Sequence, residues 1–155
     1  MSQQPVTDIY NFLALSNAVG TAGQPLEEQF SSIKNAGYQV VINLALATSP
    51  QALPHEKEIV ESQGMEYIHI PVAWESPTVE DALHFFDAMK AHEDKKIFVH
   101  CAANKRVSAF LYLYRTLHLG IDQEEATHDL HRLWTPNDGW NIFMNKVTEQ
   151  HRSAR

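Results

Sequence analysis

Short apolar segments rich in β-branched residues alternate along this 155-residue chain with longer segments of helical periodicity. The apolar segments predict buried strands at residues 38–44, 68–72 and 96–100. Helices are predicted at residues 24–36, 55–63, 76–91, 106–119 and 122–134, and again beyond residue 139. Strands and helices that alternate in this way form a parallel sheet with helices on both faces. We therefore expect an α/β fold in which helices flank a central, mostly parallel sheet of about four strands. We also expect one domain spanning residues 1–155.

The composition excludes several classes of protein. Apolar residues make up 44% of the chain and charged residues 20%, which is enough apolar surface for a core and too little charge for a disordered chain. The net charge of −7 argues against nucleic acid or an anionic membrane as a partner, because both attract positively charged proteins. The first residues lack the basic start and the apolar stretch of a signal peptide. We therefore expect a cytoplasmic protein with no membrane partner.

The chain contains one cysteine, Cys101, which excludes an intramolecular disulfide and any zinc site with several cysteines. It lies directly after the third predicted strand and shortly before the helix that begins at Arg106. Ligands of parallel sheets bind beyond the carboxyl ends of the strands, and a helix N-terminus favours a thiolate over a thiol. The position therefore predicts that Cys101 is a nucleophile. The alternative is that Cys101 is a small apolar residue buried at a strand end.

The segment after the cysteine is typical of an oxyanion-binding loop. Four residues separate Cys101 from Arg106: Ala102, Ala103, Asn104 and Lys105. Backbone amides at a helix N-terminus can cradle a tetrahedral anion, and an arginine can bind two of its oxygens. In such a site the amides hold the oxyanion and the arginine stabilises the charge of the transition state. We therefore predict that residues 102–106 bind a phosphorylated substrate or another small oxyanion.

These residues also carry a resemblance to a known family. Residues 96–110, KIFVHCAANKRVSAF, resemble the phosphate-binding loop of cysteine-dependent protein phosphatases, whose motif is His-Cys, five residues, Arg and then Ser or Thr. Residues 20–25, 38–44 and 68–72 are similar to segments of small bacterial phosphatases of the tyrosine and dual-specificity type. These proteins resemble the phosphatase-like domain attached to some β-lactamase-type hydrolases. The likeness covers roughly residues 8–150.

The resemblance implies a dual-specificity-phosphatase-like fold. It also implies hydrolysis of phosphate monoesters through a phosphocysteine intermediate, with no metal and no other cofactor. The histidine before the nucleophile tunes the thiolate by hydrogen bonding in that family, a role that would fall to His100.

The loop departs from the family motif in three ways. Arg106 follows Cys101 after four residues and not five, and Val107 stands where the hydroxyl residue is expected, with Ser108 one place later as the supporting hydroxyl. A shorter loop should fit a smaller electrophile or hold phosphate less completely. The loop also has no glycine, so Asn104 is the residue best suited to a left-handed backbone.

The short loop leaves two alternative functions open. A spacing of four residues between cysteine and arginine also resembles rhodanese-type sulfurtransferases, in which the cysteine carries a persulfide. The third possibility is a non-catalytic pseudophosphatase that binds an oxyanion without turnover.

A phosphatase also needs an acid that protonates the leaving oxygen, usually an aspartic acid on a separate loop. The loop after the second predicted strand, residues 73–77, contains one carboxylate, Glu75. Glu75 lies at the correct edge of the predicted sheet, although it is a glutamate and is closer to Cys101 in sequence than is usual in the family. We therefore predict that Glu75 is the acid, with a solvated residue before a helix as the alternative.

Overall fold

The structure is a computed structural model that describes residues 5–153, so both ends of the predicted domain, residues 1–4 and 154–155, lie outside the described part. The strands are β1 (Leu13–Ala14), β2 (Val19–Ala22), β3 (Val40–Asn43), β4 (Glu66–His69) and β5 (Ile97–His100). The helices are α1 (Gln29–Asn35), α2 (Glu56–Ser62), α3 (Val79–Ala91), α4 (Lys105–His118), α5 (Gln123–His131) and α6 (Asp138–Ser153). Within residues 5–153, no helix is both long enough and apolar enough to cross a membrane.

The five strands form one sheet in the order β1-β2-β5-β3-β4, in which β2, β5, β3 and β4 are parallel and β1 is antiparallel to β2. The expected α/β fold with a mostly parallel sheet is confirmed, although the sheet has five strands and not about four. The sequence gives little sign of β1 and β2, because β1 has two residues and β2 reads Val-Gly-Thr-Ala. Glycine is required within β2, since a Cβ atom on Gly20 would overlap the Tyr38 hydroxyl.

Two predicted elements have different bounds in the structure. The helix predicted from residue 24 begins only at Gln29, and the exposed Leu26 lies in the turn before it. The strand predicted at residues 68–72 ends at His69, because Pro71 has no amide hydrogen to continue the ladder. Residues beyond that strand still bond to the neighbouring chain segment, since the Val72 amide donates to the Leu44 oxygen at 3.0 Å.

Apolar side chains from alternating strand positions fill cores on both faces of the sheet. On β5, Val99 belongs to the core beneath α3, α4 and α6, whereas Phe98 packs with residues of α1 and α2. Helix α4 is buried on most of its surface, as its nearly uniform apolar sequence predicts. Because α4 follows β5 through a four-residue loop, its N-terminus lies at the carboxyl edge of the sheet, next to Cys101.

Helix α4 begins differently from α3. The Thr78 hydroxyl accepts the Asp81 amide and the Asp81 carboxylate accepts the Thr78 amide, so a reciprocal pair of bonds caps α3. Asn104, at the N-cap of α4, makes no such side-chain bond. The first amides of α4 are therefore not satisfied by their own N-cap residue.

Candidate active site

Cys101 is the first residue after β5, at the centre of the sheet's carboxyl edge. Its amide donates to the Ala22 oxygen of β2 at 3.3 Å, and the oxygen of the preceding residue, His100, accepts the Leu44 amide at 2.9 Å. The cysteine is 1% exposed and packs with the core beneath α4. The thiol is therefore almost completely shielded from solvent.

Neighbouring segments hold the carbonyl groups of this loop from outside. The Ala102 oxygen accepts the Gln24 amide at 3.0 Å, and the Ala103 oxygen accepts the side-chain amide of Asn11 at 3.1 Å. Gly23 is needed for this close approach, since a Cβ atom there would lie 2.7 Å from the Ala102 oxygen. The loop backbone is thus fixed on the scaffold.

Asn104 has the left-handed backbone conformation that the sequence predicts, with φ of 65°. Its side-chain Nδ2 donates to the Asn11 oxygen and to the Thr21 hydroxyl oxygen, both at 2.9 Å. The residue is fully buried, and its Oδ1 has no hydrogen-bond partner among residues 5–153. Asn104 therefore replaces a glycine in conformation and, in addition, ties the loop to β2 and the segment before β1.

The N-terminal amides of α4 face a position suited to an anion. The bond from the Ser108 amide to the Asn104 oxygen, 3.0 Å long, opens the helical pattern, so the amides of residues 105–107 precede the first intrahelical bond. Such amides and the helix dipole favour negative charge. Residues 102–106 run through this end of α4, and their binding of an oxyanion stays a prediction.

Arg106 adds a cation that has no anionic partner among residues 5–153. Its side chain is 7% exposed, and its Nη1 donates to the Val72 oxygen at 2.8 Å. Within the described part of the chain, no carboxylate pairs with its guanidinium. Arg115, which is buried to the same extent, instead pairs with Asp129 at 2.8 Å. Since a buried charge is costly without a partner, the site around Arg106 is complementary to an anion.

Ser108 and Lys105 connect the first turn of α4 to Trp134. The Ser108 hydroxyl donates to the Lys105 oxygen at 2.8 Å and accepts the Trp134 indole N–H at 2.9 Å. The exposed Lys105 ammonium lies 5.8 Å from the centre of a Trp134 ring. The Ser108 hydroxyl, which is predicted to support the site, therefore forms hydrogen bonds within the first turn of α4 and with Trp134.

Glu75 lies in the loop after β4, as predicted, and its side chain is exposed. The chain on its N-terminal side is anchored at two points, because the Val72 oxygen accepts from Arg106 and the Trp74 oxygen accepts the Trp140 indole N–H at 3.1 Å. The Glu75 carboxylate makes no hydrogen bond or ion pair with any other residue between 5 and 153. The structure thus brings the backbone of this loop to Arg106, while the Glu75 side chain is exposed.

His100 is fully buried and pairs with a residue that the sequence reasoning missed. Its Nε2 lies 2.7 Å from Oε2 of Glu56, and its Nδ1 lies 3.4 Å from the Cys101 carbonyl oxygen. The bonds of His100 therefore join a carboxylate to the backbone of the cysteine. One signal could have revealed Glu56: it lies four residues before the buried Val60, on the apolar face of α2.

No three histidine, cysteine, aspartate or glutamate side chains of residues 5–153 are grouped so that they could hold a metal ion. The groups available around Cys101 are therefore a thiol, backbone amides and one guanidinium. Together they can bind an oxyanion beside a nucleophile.

Comparison with known proteins gives the family. Residues 8–142 match the family described as DSP-PTPase phosphatase fused to NAD+ Kinase. The crystal structure of a "Putative phosphatase (DUF442)" from Shewanella putrefaciens CN-32 is 35% identical, with a TM-score of 0.85 over 94% of this chain and 96% of that one. The phosphatase Tk-PTP in its active form shares the fold, with a TM-score of 0.78 at 18% identity over 90% of this chain and 97% of that one.

A longer protein contains a similar segment. The Beta-lactamase hydrolase-like protein of Agrobacterium fabrum is 29% identical over an alignment of 100 residues, which covers 62% of this chain and only 23% of that protein. These likenesses confirm the resemblance that the loop and its flanking segments indicate. The chain belongs to the family that is described as DSP-PTPase phosphatase fused to NAD+ Kinase, and it has the α/β fold of the dual-specificity phosphatases.

Proposed function

We propose that this protein is a phosphatase that hydrolyses phosphate monoesters through a phosphocysteine at Cys101. The observation that carries the proposal is the unpaired, buried charge of Arg106. Its guanidinium is almost completely buried and pairs with no carboxylate of the described chain. Arg106 lies at the N-terminus of α4, which has no side-chain cap, and follows the only thiol by five residues. A phosphoryl group would supply the missing negative charge.

In the first chemical step, the Cys101 thiolate attacks phosphorus, so that an S–P bond forms and the P–O bond to the leaving group breaks. The amides of residues 102–106 and the Arg106 guanidinium hold the phosphoryl oxygens and stabilise the charge of the transition state. Glu75 donates its carboxyl proton to the leaving oxygen. This role is supported by the exposure of Glu75 and by the bond between Arg106 and the Val72 oxygen, which lies in the same segment of the chain.

In the second step, water attacks the phosphocysteine. The Glu75 carboxylate accepts a proton from this water, the S–P bond breaks, and phosphate and the thiolate are released. At the end of the cycle Glu75 again carries its proton and Cys101 is again a thiolate, so the reaction needs no cofactor.

The test is a comparison of wild type with Cys101→Ser on p-nitrophenyl phosphate. The serine hydroxyl is a much weaker nucleophile, so we expect turnover to fall at least about 1000-fold. The variant should still gain thermal stability from phosphate, because Arg106 and the amides are unchanged. Turnover that survives the substitution would overturn the assignment of Cys101.

One observation favours a second candidate function, sulfur transfer. Four residues separate Cys101 from Arg106, as in rhodanese-type loops. Attack of the thiolate on the outer sulfur of thiosulfate would form a persulfide and release sulfite. Intact mass spectrometry after incubation with thiosulfate would then show an added mass of about 32 Da on Cys101. Thermal stabilisation by phosphate with neither hydrolysis nor this adduct would instead identify a non-catalytic oxyanion-binding protein.

A further inference from the structure

A cluster of buried polar side chains lies at the carboxyl edge of the sheet, and the two chemical steps above do not use it. We call it the Glu56 cluster; it consists of Gln24, Asn43, Glu56, Tyr67 and His100. Glu56 is 4% exposed, and its two oxygens lie 2.7 Å from His100 Nε2 and 2.8 Å from Gln24 Nε2. A buried carboxylate at the start of a short helix requires a compensating charge or several donors.

Glu56 is held in its charged form. Burial alone would raise the pKa of Glu56, but the charge of His100 and the hydrogen bonds from His100, Gln24 and Tyr67 outweigh it and lower the pKa below its usual value. Asn43 Nδ2 donates to the Tyr67 oxygen at 3.0 Å, which leaves the Tyr67 proton free to point at Glu56. Burial, and then the charge of Glu56, raise the pKa of Tyr67, so its hydroxyl keeps this proton.

His100 lies between two acceptors. Its Nε2 faces the Glu56 carboxylate and its Nδ1 faces the Cys101 carbonyl oxygen, at 2.7 and 3.4 Å. Neither acceptor carries a proton, and a neutral imidazole has only one N–H to donate. The ring is 0% exposed, so bulk solvent does not supply the missing donor. Only an imidazolium, with an N–H at each nitrogen, satisfies both acceptors.

The surroundings of His100 contain few other groups that titrate. The aromatic rings next to it are Phe30 of α1, at 6.2 Å between ring centres, and Phe98 of β5, at 6.3 Å. The titratable group that faces the pair is Tyr67 on β4, and the neighbouring Cys101 meets the His100 ring through its carbonyl oxygen. The charge of the imidazolium is therefore balanced by Glu56, and it acts on the residue that follows in the chain.

We propose that Glu56 is a positioning residue for Cys101: it keeps His100 as an imidazolium, which fixes the Cys101 carbonyl and places a buried positive charge on the residue that precedes the thiolate in the chain. A charge in this dry environment acts more strongly than it would in water. A contribution of Glu56 to catalysis rests on the proposed phosphatase function. The stabilisation of the Cys101 thiolate does not rest on it, because the thiolate forms without substrate.

The experiment measures the rate at which iodoacetate alkylates Cys101, the only cysteine, as a function of pH. In Glu56→Gln, His100 loses its counter-charge and its second proton, so the thiolate is less favoured. We expect alkylation at about pH 6 to slow about tenfold and the whole rate profile to move to higher pH. Glu66→Gln is the matched control, because it breaks the exposed Glu66–His92 pair, and its profile should equal that of wild type.

A double variant separates action through His100 from a general loss of structure. If Glu56 acts through the imidazolium, adding Glu56→Gln to His100→Asn should change the alkylation rate less than about twofold. If Glu56→Gln does not fold, Tyr67→Phe, which removes one donor to the carboxylate, should shift the profile in the same direction by a smaller amount. A profile equal to that of wild type in the folded variant, or effects that simply add, would overturn the proposal.

The two proposals fail in different ways. A wild-type protein that hydrolyses no phosphate ester, while the alkylation profile still shifts in Glu56→Gln, would contradict the phosphatase assignment alone. Hydrolysis by wild type together with unshifted alkylation would contradict the role of Glu56 alone.

Discussion

Asn104 donates a hydrogen bond from its Nδ2 to the Asn11 oxygen, 2.9 Å away across the base of the cysteine loop, and Asn11 Nδ2 donates in return to the oxygen of the residue before Asn104, Ala103, at 3.1 Å. Both have positive φ, and they are the only non-glycine residues with that conformation between positions 5 and 153. Asparagine tolerates the left-handed region better than most residues, and its amide can bond to nearby backbone. The pair therefore holds the loop without the glycine that the family motif would supply.

Replacement of Asn104 should separate its two contributions. Asn104→Gly keeps the backbone freedom but loses the Nδ2 bonds, and it also removes the unpartnered Oδ1, so we expect a loss of about 1 kcal/mol in the free energy of unfolding. Asn104→Ala adds the cost of a left-handed residue with a Cβ atom, for a total of about 2 kcal/mol. Urea denaturation measures both losses. Equal losses in the two variants would show that φ at this position is not strained.

Arg106→Lys should remove the anion site while leaving the fold intact. Lysine is a point charge and cannot bind two phosphoryl oxygens in the planar geometry of arginine, so kcat/KM for an aryl phosphate should fall about 100-fold. The rise in melting temperature that phosphate causes in wild type should also disappear.

Arg115→Lys is the matched control for Arg106→Lys, since Arg115 is equally buried but is paired with Asp129. This variant should melt at a lower temperature and still be stabilised by phosphate. If Arg115→Lys also loses the response to phosphate, the effect at position 106 is not specific to the site.

Glu75→Gln tests the predicted acid. A general acid matters most when the leaving group is a poor one, so hydrolysis of an alkyl phosphate should fall about 100-fold and hydrolysis of p-nitrophenyl phosphate much less. Glu80→Gln, an exposed carboxylate in the first turn of α3, should change neither rate. Equal rates for wild type and Glu75→Gln on both substrates would identify Glu75 as a solvated loop residue.

His118 should make the stability of the fold depend on pH. Burial, and then the charges of Lys90 and His151, lower the pKa of His118 below its usual 6.5, and its Nε2 has no hydrogen-bond partner among the described residues. As the pH falls below 6.5, the unfolded chain takes up this proton more readily than the folded protein, so stability is lost toward acid pH.

The measurement is the melting temperature between about pH 8 and pH 5. The decrease over this range should be smaller in His118→Gln than in wild type. His84→Gln removes an exposed histidine of α3 and should leave the decrease unchanged. A steeper decrease in His118→Gln would mean that the folded protein stabilises the charged ring.

Part of the fold and of the site could be predicted because the signals are local. The strand before Cys101 and the helix after it are each recognisable from a few consecutive residues, and their order along the chain places the cysteine at the carboxyl edge. The left-handed conformation of Asn104 also follows from the residue itself, in a loop without glycine. Strands β1 and β2 could not be predicted in the same way, since two residues and a segment of small residues carry no clear periodicity.

The sequence by itself determined the chemical groups and their order: one thiol, a loop of four residues, an arginine and a buried helix. Only the tertiary structure decided that Arg106 donates to the Val72 oxygen and pairs with no carboxylate of the described residues, and that Glu56 of a charged helix pairs with His100. The physical reason is that whether a buried charge has a partner depends on the groups that surround it. Those neighbours come from strands and helices that are distant along the chain and meet only when the sheet has formed.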